Sequence, residues 1–252
     1  MRDLRVVSVH LMSMRANMIL RYLFIAFLMT GMASMSHAQQ NTSSDYSREV
    51  IWGLNKNTNG GLIGGGIIRV GITEKNNVMT TYGLEIANVK HPAEYTHRGT
   101  GKSFVYGKQN YLYAIRLQYG KEKLVFRKAS QQGVQISIGA AAGPTIGLES
   151  PYYVDAGEGR FVKFDSTDHK VLSSVFGSGR LLQGLGESKI VPGVNSKIFV
   201  NFEFGAFKNN VTGLEIGTML EAYTRKIIII PYQENRAVFP SLYFNLYWGT
   251  RR

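Results

Sequence analysis

The sequence predicts an all-β fold, an antiparallel transmembrane β-barrel of about eight strands. Three observations lead to this prediction: apolar and polar residues alternate along eight segments, the second face of those segments carries small or singly charged side chains, and the connections sort into short and long ones. The composition agrees, because Gly (28), Tyr (14) and Phe (13) are frequent while Pro (6) is rare. Such a mixture is typical of many strands joined by tight turns.

The N-terminal 38 residues have the organisation of a secretory signal peptide. Basic residues precede an apolar run at 22–35, and small residues at positions 36 and 38 provide a cleavage site. That run is shorter than the roughly 20 apolar residues that a helix needs to span a bilayer. We therefore expect a signal peptide at 1–38. The mature chain at 39–252 is then either soluble outside the cytoplasm or an outer-membrane β-barrel, and its alternation favours the barrel.

Alternation is clearest at 111–119, which reads YLYAIRLQY. Ile115 and Leu117 fall on one face of this segment, and Arg116 and Gln118 fall on the other, as a period of two requires. Seven further segments show the same period, two of them more weakly. The predicted strands are 49–57, 62–73, 78–90, 110–119, 133–148, 196–207, 211–223 and 238–249.

The composition of the two faces favours a membrane barrel over a secreted soluble β-protein, which would also alternate. The polar face is made of Gly, Ala, Ser, Thr, Asn and Gln with isolated charges, which suits the interior of a narrow barrel. The apolar face carries large aliphatic residues, with Tyr, Phe and Trp near the strand ends. This is the pattern expected of a lipid-facing band with aromatic girdles.

The connections give the topology. Those at 75–77 and 208–210 are tight, whereas those at 90–109, 149–195 and 224–237 are long. Outer-membrane barrels have short periplasmic turns and longer external loops. We therefore expect the tight connections on the periplasmic side and the long ones outside.

One connection, at 120–132, is long for a periplasmic turn. It either extends the fourth and fifth strands beyond the membrane or contains a hairpin that adds a strand. A ten-stranded barrel, with a further strand at 152–164, is therefore the competing prediction.

These features resemble a known group of proteins. The cleavable signal followed by Gln39 and Gln40, the Gly- and Tyr-rich strands and the closing segment LYFNLYW at 242–248 resemble the small outer-membrane β-barrel proteins of Gram-negative bacteria. The resemblance extends to the barrels of Bacteroidota, including the PorT-like group linked to secretion, and covers the mature chain as architecture. It implies a location in the cell outer membrane.

Residues that carry chemistry are few. The chain has no cysteine, and only three histidines follow residue 38, all in predicted external loops: His91, His97 and His169. A hydrolase needs a serine, a histidine and an acid that orients it, and scattered loop residues such as Ser103 do not predict this arrangement. Asp165 and Asp168 beside His169 are a weak metal candidate. We expect no enzyme, no cofactor and no metal, with a lipid-modifying barrel enzyme as the least favoured alternative.

The charge balance is basic, with 29 Lys and Arg against 17 Asp and Glu. The cations are dispersed and the signal peptide removes the chain from the cytoplasm, so we expect no nucleic-acid partner. Cations at strand ends are expected to contact outer-membrane lipid and the phosphates of lipopolysaccharide. One cluster, at 121–128, is a candidate periplasmic contact for an anionic envelope partner, although a solvated turn is the simpler interpretation.

Several charges fall on the polar face of their predicted strands, where an unpaired charge would be costly. They form a predicted lumen charge network: Arg69, Glu85, Arg116, Glu203 and Glu215. Such a network either closes the lumen or lines a narrow pore. An interior of eight strands is just wide enough to be filled by side chains, which favours closure.

The connection at 149–195 is much longer than the roughly 12–15 residues beyond which a structureless loop is usually functional or disordered. It contains a predicted hairpin around 156–159, and apolar residues at near-helical spacing between 171 and 185 then predict a short amphipathic helix. We expect this loop to bind a partner protein of the envelope through aromatic anchors: Tyr152, Tyr153, Phe161 and Phe164. The predicted function is a non-enzymatic structural, assembly or secretion-associated barrel, with a small-solute channel as the alternative.

Overall fold

The computed structural model describes residues 47–61, 64–74, 76–97, 103–127, 133–165, 175–180, 182–204 and 210–252. The predicted signal peptide lies outside these residues. In chain order, the described strands are β1 (Arg48–Asn57), β2 (Gly65–Thr73), β3 (Val78–Val89), β4 (Thr96–His97), β5 (Phe104–Val105), β6 (Asn110–Phe126), β7 (Gln135–Pro151), β8 (Tyr153–Asp155), β9 (Phe161–Lys163), β10 (Gly177–Ser178), β11 (Lys189–Phe204), β12 (Asn210–Tyr223) and β13 (Val238–Arg251).

Eight of these strands form a closed antiparallel barrel in the order β1, β2, β3, β6, β7, β11, β12 and β13. Every wall strand pairs with its neighbours along the chain, and β13 pairs back with β1, from Glu49 opposite Arg251 to Asn57 opposite Tyr243. Closure leaves the wall without a free edge. The prediction of an all-β, eight-stranded barrel is confirmed.

The ten-stranded alternative is wrong. The segment proposed as its extra strand contains β8 and β9, which pair with each other and with β10 in a separate three-stranded sheet. A second small sheet pairs β4 with β5. Both sheets belong to the connections rather than to the wall.

Two wall strands are longer than predicted. β6 continues to Phe126, because the alternation persists with Glu122 turned inward between two exposed lysines. β11 begins at Lys189 rather than at 196, and the added residues pair with 143–149 of β7. Pro192 and Gly193 lie among these added residues and weaken the sequence signal, because both residues are depleted in strands.

The connections separate into two groups at opposite ends of the barrel. The end at which β1 starts and β13 finishes carries the connections at 74–77, 127–134 and 205–209, and is called here the short-turn end. The opposite end carries three long loops, at 90–109, 152–188 and 224–237. In the first short turn, Asn76 and Asn77 adopt φ angles of 63° and 58°, which a two-residue hairpin turn requires.

The outward face of the wall is apolar. The side chains of Ile198 and Leu242 are 68% and 61% exposed, and Trp52 and Ile68 are also exposed. Trp52 packs against Trp248, and Tyr82 against Tyr119, each with ring centroids 5.5 Å apart, towards the short-turn end. A barrel folded in water would bury these side chains, so the wall exposes the residue types that a soluble protein buries.

No helix among the described residues is long and apolar enough to cross a membrane.

Candidate functional site: the lumen, its plug and the long loops

The middle of the lumen is organised around Glu215. Its carboxylate lies 2.5 Å from Nη1 of Arg69 and 3.1 Å from Nζ of Lys197. The hydroxyl of Tyr243 and the amide of Asn245 also donate to it, at 2.8 and 2.9 Å. All five side chains are buried. A buried carboxylate is tolerable only when it is paired and hydrogen-bonded in this way.

A second group lies nearer the long loops. Arg116 donates two hydrogen bonds of 2.9 Å to the carboxylate of Glu221 and one of 2.6 Å to Glu85. The side-chain amide of Gln118 donates to Asn195 at 3.2 Å, and Asn195 in turn donates to carbonyls of β6 and β7. The guanidinium of Arg116 thereby links β6 to β3 through Glu85, and to β12 across the lumen through Glu221.

A third group lies at the short-turn end. Arg251 donates to Glu49 at 2.7 Å and contacts Glu203 through both terminal nitrogens. Gln135 also donates to Glu203, at 3.0 Å. The pair between Arg251 and Glu49 joins the last wall strand to the first.

The five residues of the predicted lumen network all lie inside the barrel and are buried. Arg69 pairs with Glu215, and Arg116 pairs with Glu85, whereas Glu203 pairs with Arg251 at the end of the chain. Six further buried inward charges of the described wall strands were not predicted from the sequence: Glu49, Glu122, Glu149, Lys197, Glu221 and Arg251. Their positions carried a signal, because each occupies the polar register of its strand.

An apolar plug covers the lumen at the long-loop end. It comes from the loop at 224–237, in which Ile227, Ile229 and Ile230 are buried. They pack with inward apolar residues of the wall: Val89, Leu112, Ala114, Val191, Tyr223 and Phe239. Four consecutive isoleucines in a predicted external loop were a signal for this plug, because an exposed apolar run is unusual in a soluble loop.

Polar contacts fix the plug in place. The Asn235 side chain accepts from the amide of Ile229 at 2.9 Å and donates to the carbonyl of Ile230 at 2.8 Å. Glu149, at the inner rim of β7, accepts from the amide of Ile228 at 3.1 Å and forms an ion pair with Arg225. The loop is thus bonded to itself and to the wall.

The loop at 152–188 contains the predicted hairpin, formed by β8 and β9. Its aromatic residues pack onto the loop at 90–109: Tyr152 and Phe164 surround Phe104, and the Tyr152 hydroxyl accepts from the amide of Val105 at 3.0 Å. Tyr152 is 1% exposed and Phe164 is 3% exposed. The prediction that these two residues anchor a partner is therefore corrected, because their rings form the small core of the loop.

The other two predicted anchors reach the surface in part. The Phe161 ring lies under the guanidinium of Arg180, with 5.1 Å between Cζ and the ring centroid. The Tyr153 hydroxyl donates to Glu187 at 2.5 Å. Glu187 also pairs with Lys163, and the pKa of the Glu187 carboxyl is lowered by these two donors.

The predicted helix of this loop is not found in its described part. Residues 171–174 and 181 lie outside the described residues. The remainder of the predicted segment forms β10 and a single 3₁₀ turn at Leu185–Glu187. Gly184, with a φ angle of 84°, and Leu182, with 61°, interrupt any helical path.

The weak catalytic and metal candidates gain no support from geometry. Nδ1 of His91 accepts from the amide of Ala93 at 3.1 Å, and Nε2 lies 3.1 Å from the carbonyl of Glu234. Both ring nitrogens are thus engaged by the backbone. His169 and Asp168 lie outside the described residues, and the described part of the chain contains no cluster of metal-ligating side chains.

Fold and lumen together define a class: a closed eight-stranded barrel with an apolar exterior and an interior of paired charges. No protein-family model matches the sequence, and a search of curated proteins finds no match. Among solved structures, the chain is similar to Neisserial surface protein A (NspA), with a TM-score of 0.42 and 12% identity over 84% of this chain and 100% of that chain.

Proposed function

We propose that the chain is an exported outer-membrane β-barrel protein that is not an enzyme and serves as a structural, assembly or secretion-associated component of the envelope. In this proposal the signal peptide at 1–38 directs export. The barrel holds the chain in the membrane, and the long loops present a surface to a partner protein outside.

The apolar exterior is the observation that carries the proposal. Every glutamate of the described wall strands points inward, and the outward charges are all cations near the strand ends: Arg48, Lys56, Lys121 and Lys123. Between them the wall offers aliphatic and aromatic side chains to its surroundings. The wall strands have 9 to 17 residues, and about 9–11 suffice for a tilted strand to cross a bilayer.

The filled lumen supports a structural role rather than a solute channel. Three groups of charged side chains occupy the interior along its length, and the isoleucine plug covers one end. An eight-stranded barrel has room inside for its own side chains and little more.

The long loops support a role in recognition, although through different residues from those expected. Large apolar side chains remain exposed on them: Tyr95, Tyr106, Phe176, Leu182 and Tyr232. Tyr95, Tyr106 and Tyr232 are 71%, 56% and 70% exposed. Aromatic residues dominate the energetics of protein interfaces, so these three replace Tyr152 and Phe164 as the proposed anchors.

Fractionation of cells tests the membrane assignment. The protein is expected in the outer-membrane fraction, with an apparent mass on gels that changes when the sample is heated, as closed barrels show. Recovery in the soluble periplasm would contradict the proposal.

A triple substitution tests the partner surface. Replacing Tyr95, Tyr106 and Tyr232 with Ser should leave the heat-dependent migration unchanged and abolish a specific crosslink to an envelope protein. Replacing Tyr82, a tyrosine of the wall, with Ser is the matched control and should keep the crosslink. If the triple variant also keeps it, the long loops are not the contact surface.

A further inference from the structure

A cleft of about 680 Å³ lies outside the wall at the long-loop end, between the strands β2, β3 and β6 and the long loops above them. Its floor includes Gly66 and Ile86 on the outward face of the wall. Its upper rim is formed by parts of two loops, including Val105, Arg180 and Leu182. The lining of the cleft therefore comes partly from the barrel wall and partly from the long loops.

The floor is open because Gly66 has no side chain. A Cβ added at this position would have a single neighbour within 4 Å, the carbonyl oxygen of Gly53 at 3.8 Å. Beside it, Ile86 is 52% exposed and Tyr113 points outward from β6. This part of the cleft continues the apolar exterior of the barrel.

The upper part of the cleft is cationic. Lys108 is buried, with its Nζ 2.7 Å from a Glu94 carboxylate oxygen and 4.2 Å from the centroid of the Tyr111 ring. Lys90 and Arg180 also line the cleft, and neither forms an ion pair with a described residue. Three cations thus face one carboxylate.

Lys108 is held within the fold, whereas Lys90 is half-buried and Arg180 is exposed. Desolvation lowers the pKa of the Lys108 ammonium, Glu94 opposes this shift, and the positive charge of Lys90 adds to it. A lysine that is held in place beside a second cation is stabilised by an added anion, because the anion offsets the repulsion between them.

We propose that this cleft binds a phosphorylated lipid of the outer leaflet, with its phosphate between Lys90, Lys108 and Arg180 and an acyl chain lying over Gly66 and Ile86. The proposal rests on the membrane location proposed above. It is supported by the direct continuity between an apolar floor and a cationic rim, which matches the junction of alkyl chain and phosphate in such a lipid. The lipid A part of lipopolysaccharide has this chemistry and occupies the leaflet at the long-loop end.

Binding of lipid A to the purified full-length chain in nanodiscs tests the proposal. The double variant Lys90→Gln/Arg180→Gln removes two cations that have no ion pair with a described residue, and it should weaken binding of phosphorylated lipid A at least tenfold. Gly66→Leu fills the floor without changing charge, is compatible with an outward strand position, and should weaken binding to a similar extent. The matched control is Lys121→Gln/Lys123→Gln, which removes two outward cations at the other end and should change affinity less than twofold.

Three comparison ligands distinguish the phosphate group of lipid A from that of another lipid and from free phosphate. Dephosphorylated lipid A and phosphatidylglycerol should bind at least tenfold more weakly than lipid A, and inorganic phosphate should not compete. Equal binding of dephosphorylated lipid A, equal binding of phosphatidylglycerol, competition by free phosphate, or unchanged affinity in both cleft variants would each overturn the proposal.

Heat-dependent migration of every variant is measured in parallel. A heat-modifiable barrel that fails these tests overturns the cleft alone, whereas a chain soluble without detergent overturns the membrane proposal as well.

Discussion

Glu215 accepts hydrogen bonds from four side chains and balances two cations at the centre of the lumen. Replacing Glu215 with Gln leaves Arg69 and Lys197 short of a counter-charge in a buried site. We expect the free energy of unfolding to fall by about 3–5 kcal/mol, the usual cost of breaking a buried ion pair from one side. Urea unfolding, followed by the loss of heat-modifiable migration, measures this change.

Two variants serve as controls for that measurement. Glu234→Gln changes an exposed loop carboxylate, 84% accessible, and should have an effect of less than about 0.5 kcal/mol. Adding Lys197→Gln to Glu215→Gln should recover part of the loss, because it removes one of the two uncompensated cations. An equal effect of Glu215→Gln and Glu234→Gln would mean that the lumen charges contribute little to stability.

Leu117 and Gln118 are adjacent in β6 and point to opposite sides of the wall. Arg in place of Leu117 would lie among lipid chains, at a cost of about 2–4 kcal/mol near the bilayer midplane. Arg in place of Gln118 would lie beside Glu85, whose Oε2 is 3.5 Å from the Gln118 amide. We expect Leu117→Arg to reduce the assembled fraction in membranes strongly and Gln118→Arg to reduce it less. Equal reductions would show that the facing of β6 is wrong.

The plug allows a comparison between neighbouring residues of one loop. Ile229 is fully buried, whereas Ile228 is 42% exposed. Ile229→Ala should lower the free energy of unfolding by about 2–4 kcal/mol, because it leaves a cavity in a packed cluster. Ile228→Ala should cost less than about 1 kcal/mol. The same loss at both positions, measured by urea unfolding in detergent micelles, would argue that the loop does not pack into the barrel mouth.

Sequence reasoning was most successful for the elements with uninterrupted alternation. The wall strands β3 and β13 lie within two residues of their predicted bounds, because a long stretch of each alternates without a break. The start of β11 was missed, since Pro192 and Gly193 interrupt the pattern and are held in the strand by pairing with β7 and, at Gly193, with β12. The hairpin of β8 and β9 was predicted from its turn, whereas burial of Tyr152 depends on Phe104, nearly fifty positions earlier.

The same limit applies to the candidate site. Alternation identifies which charges face inward, so Arg69, Arg116 and Glu215 were accessible to prediction. The pairing of these charges depends on the stagger between strands that are distant in sequence. Arg116, for example, pairs with Glu221 across the lumen. The cleft is beyond the reach of the sequence for the same reason, because its lining combines β2, β3 and β6 with two loops.

For the molecule as a whole, the filled interior predicts a barrel with no measurable ion conductance across a bilayer. In planar bilayers the purified protein should give no steady openings, whereas a porin added to the same bilayer should give openings on the nanosiemens scale. The reason is that an interior of eight strands has little space beyond its own side chains. Steady openings of that size from this protein would favour the channel alternative.

The ion pair between Arg251 and Glu49 lies at the seam where β13 meets β1, and its two residues are 202 positions apart in sequence. Contacts between residues so distant in sequence form slowly, because the entropy of closing a long loop is lost before the contact is made. We therefore expect closure of this seam to be a late step of folding. Until it closes, β1 and β13 each expose an unpaired edge, so the open form should be the one most prone to aggregation.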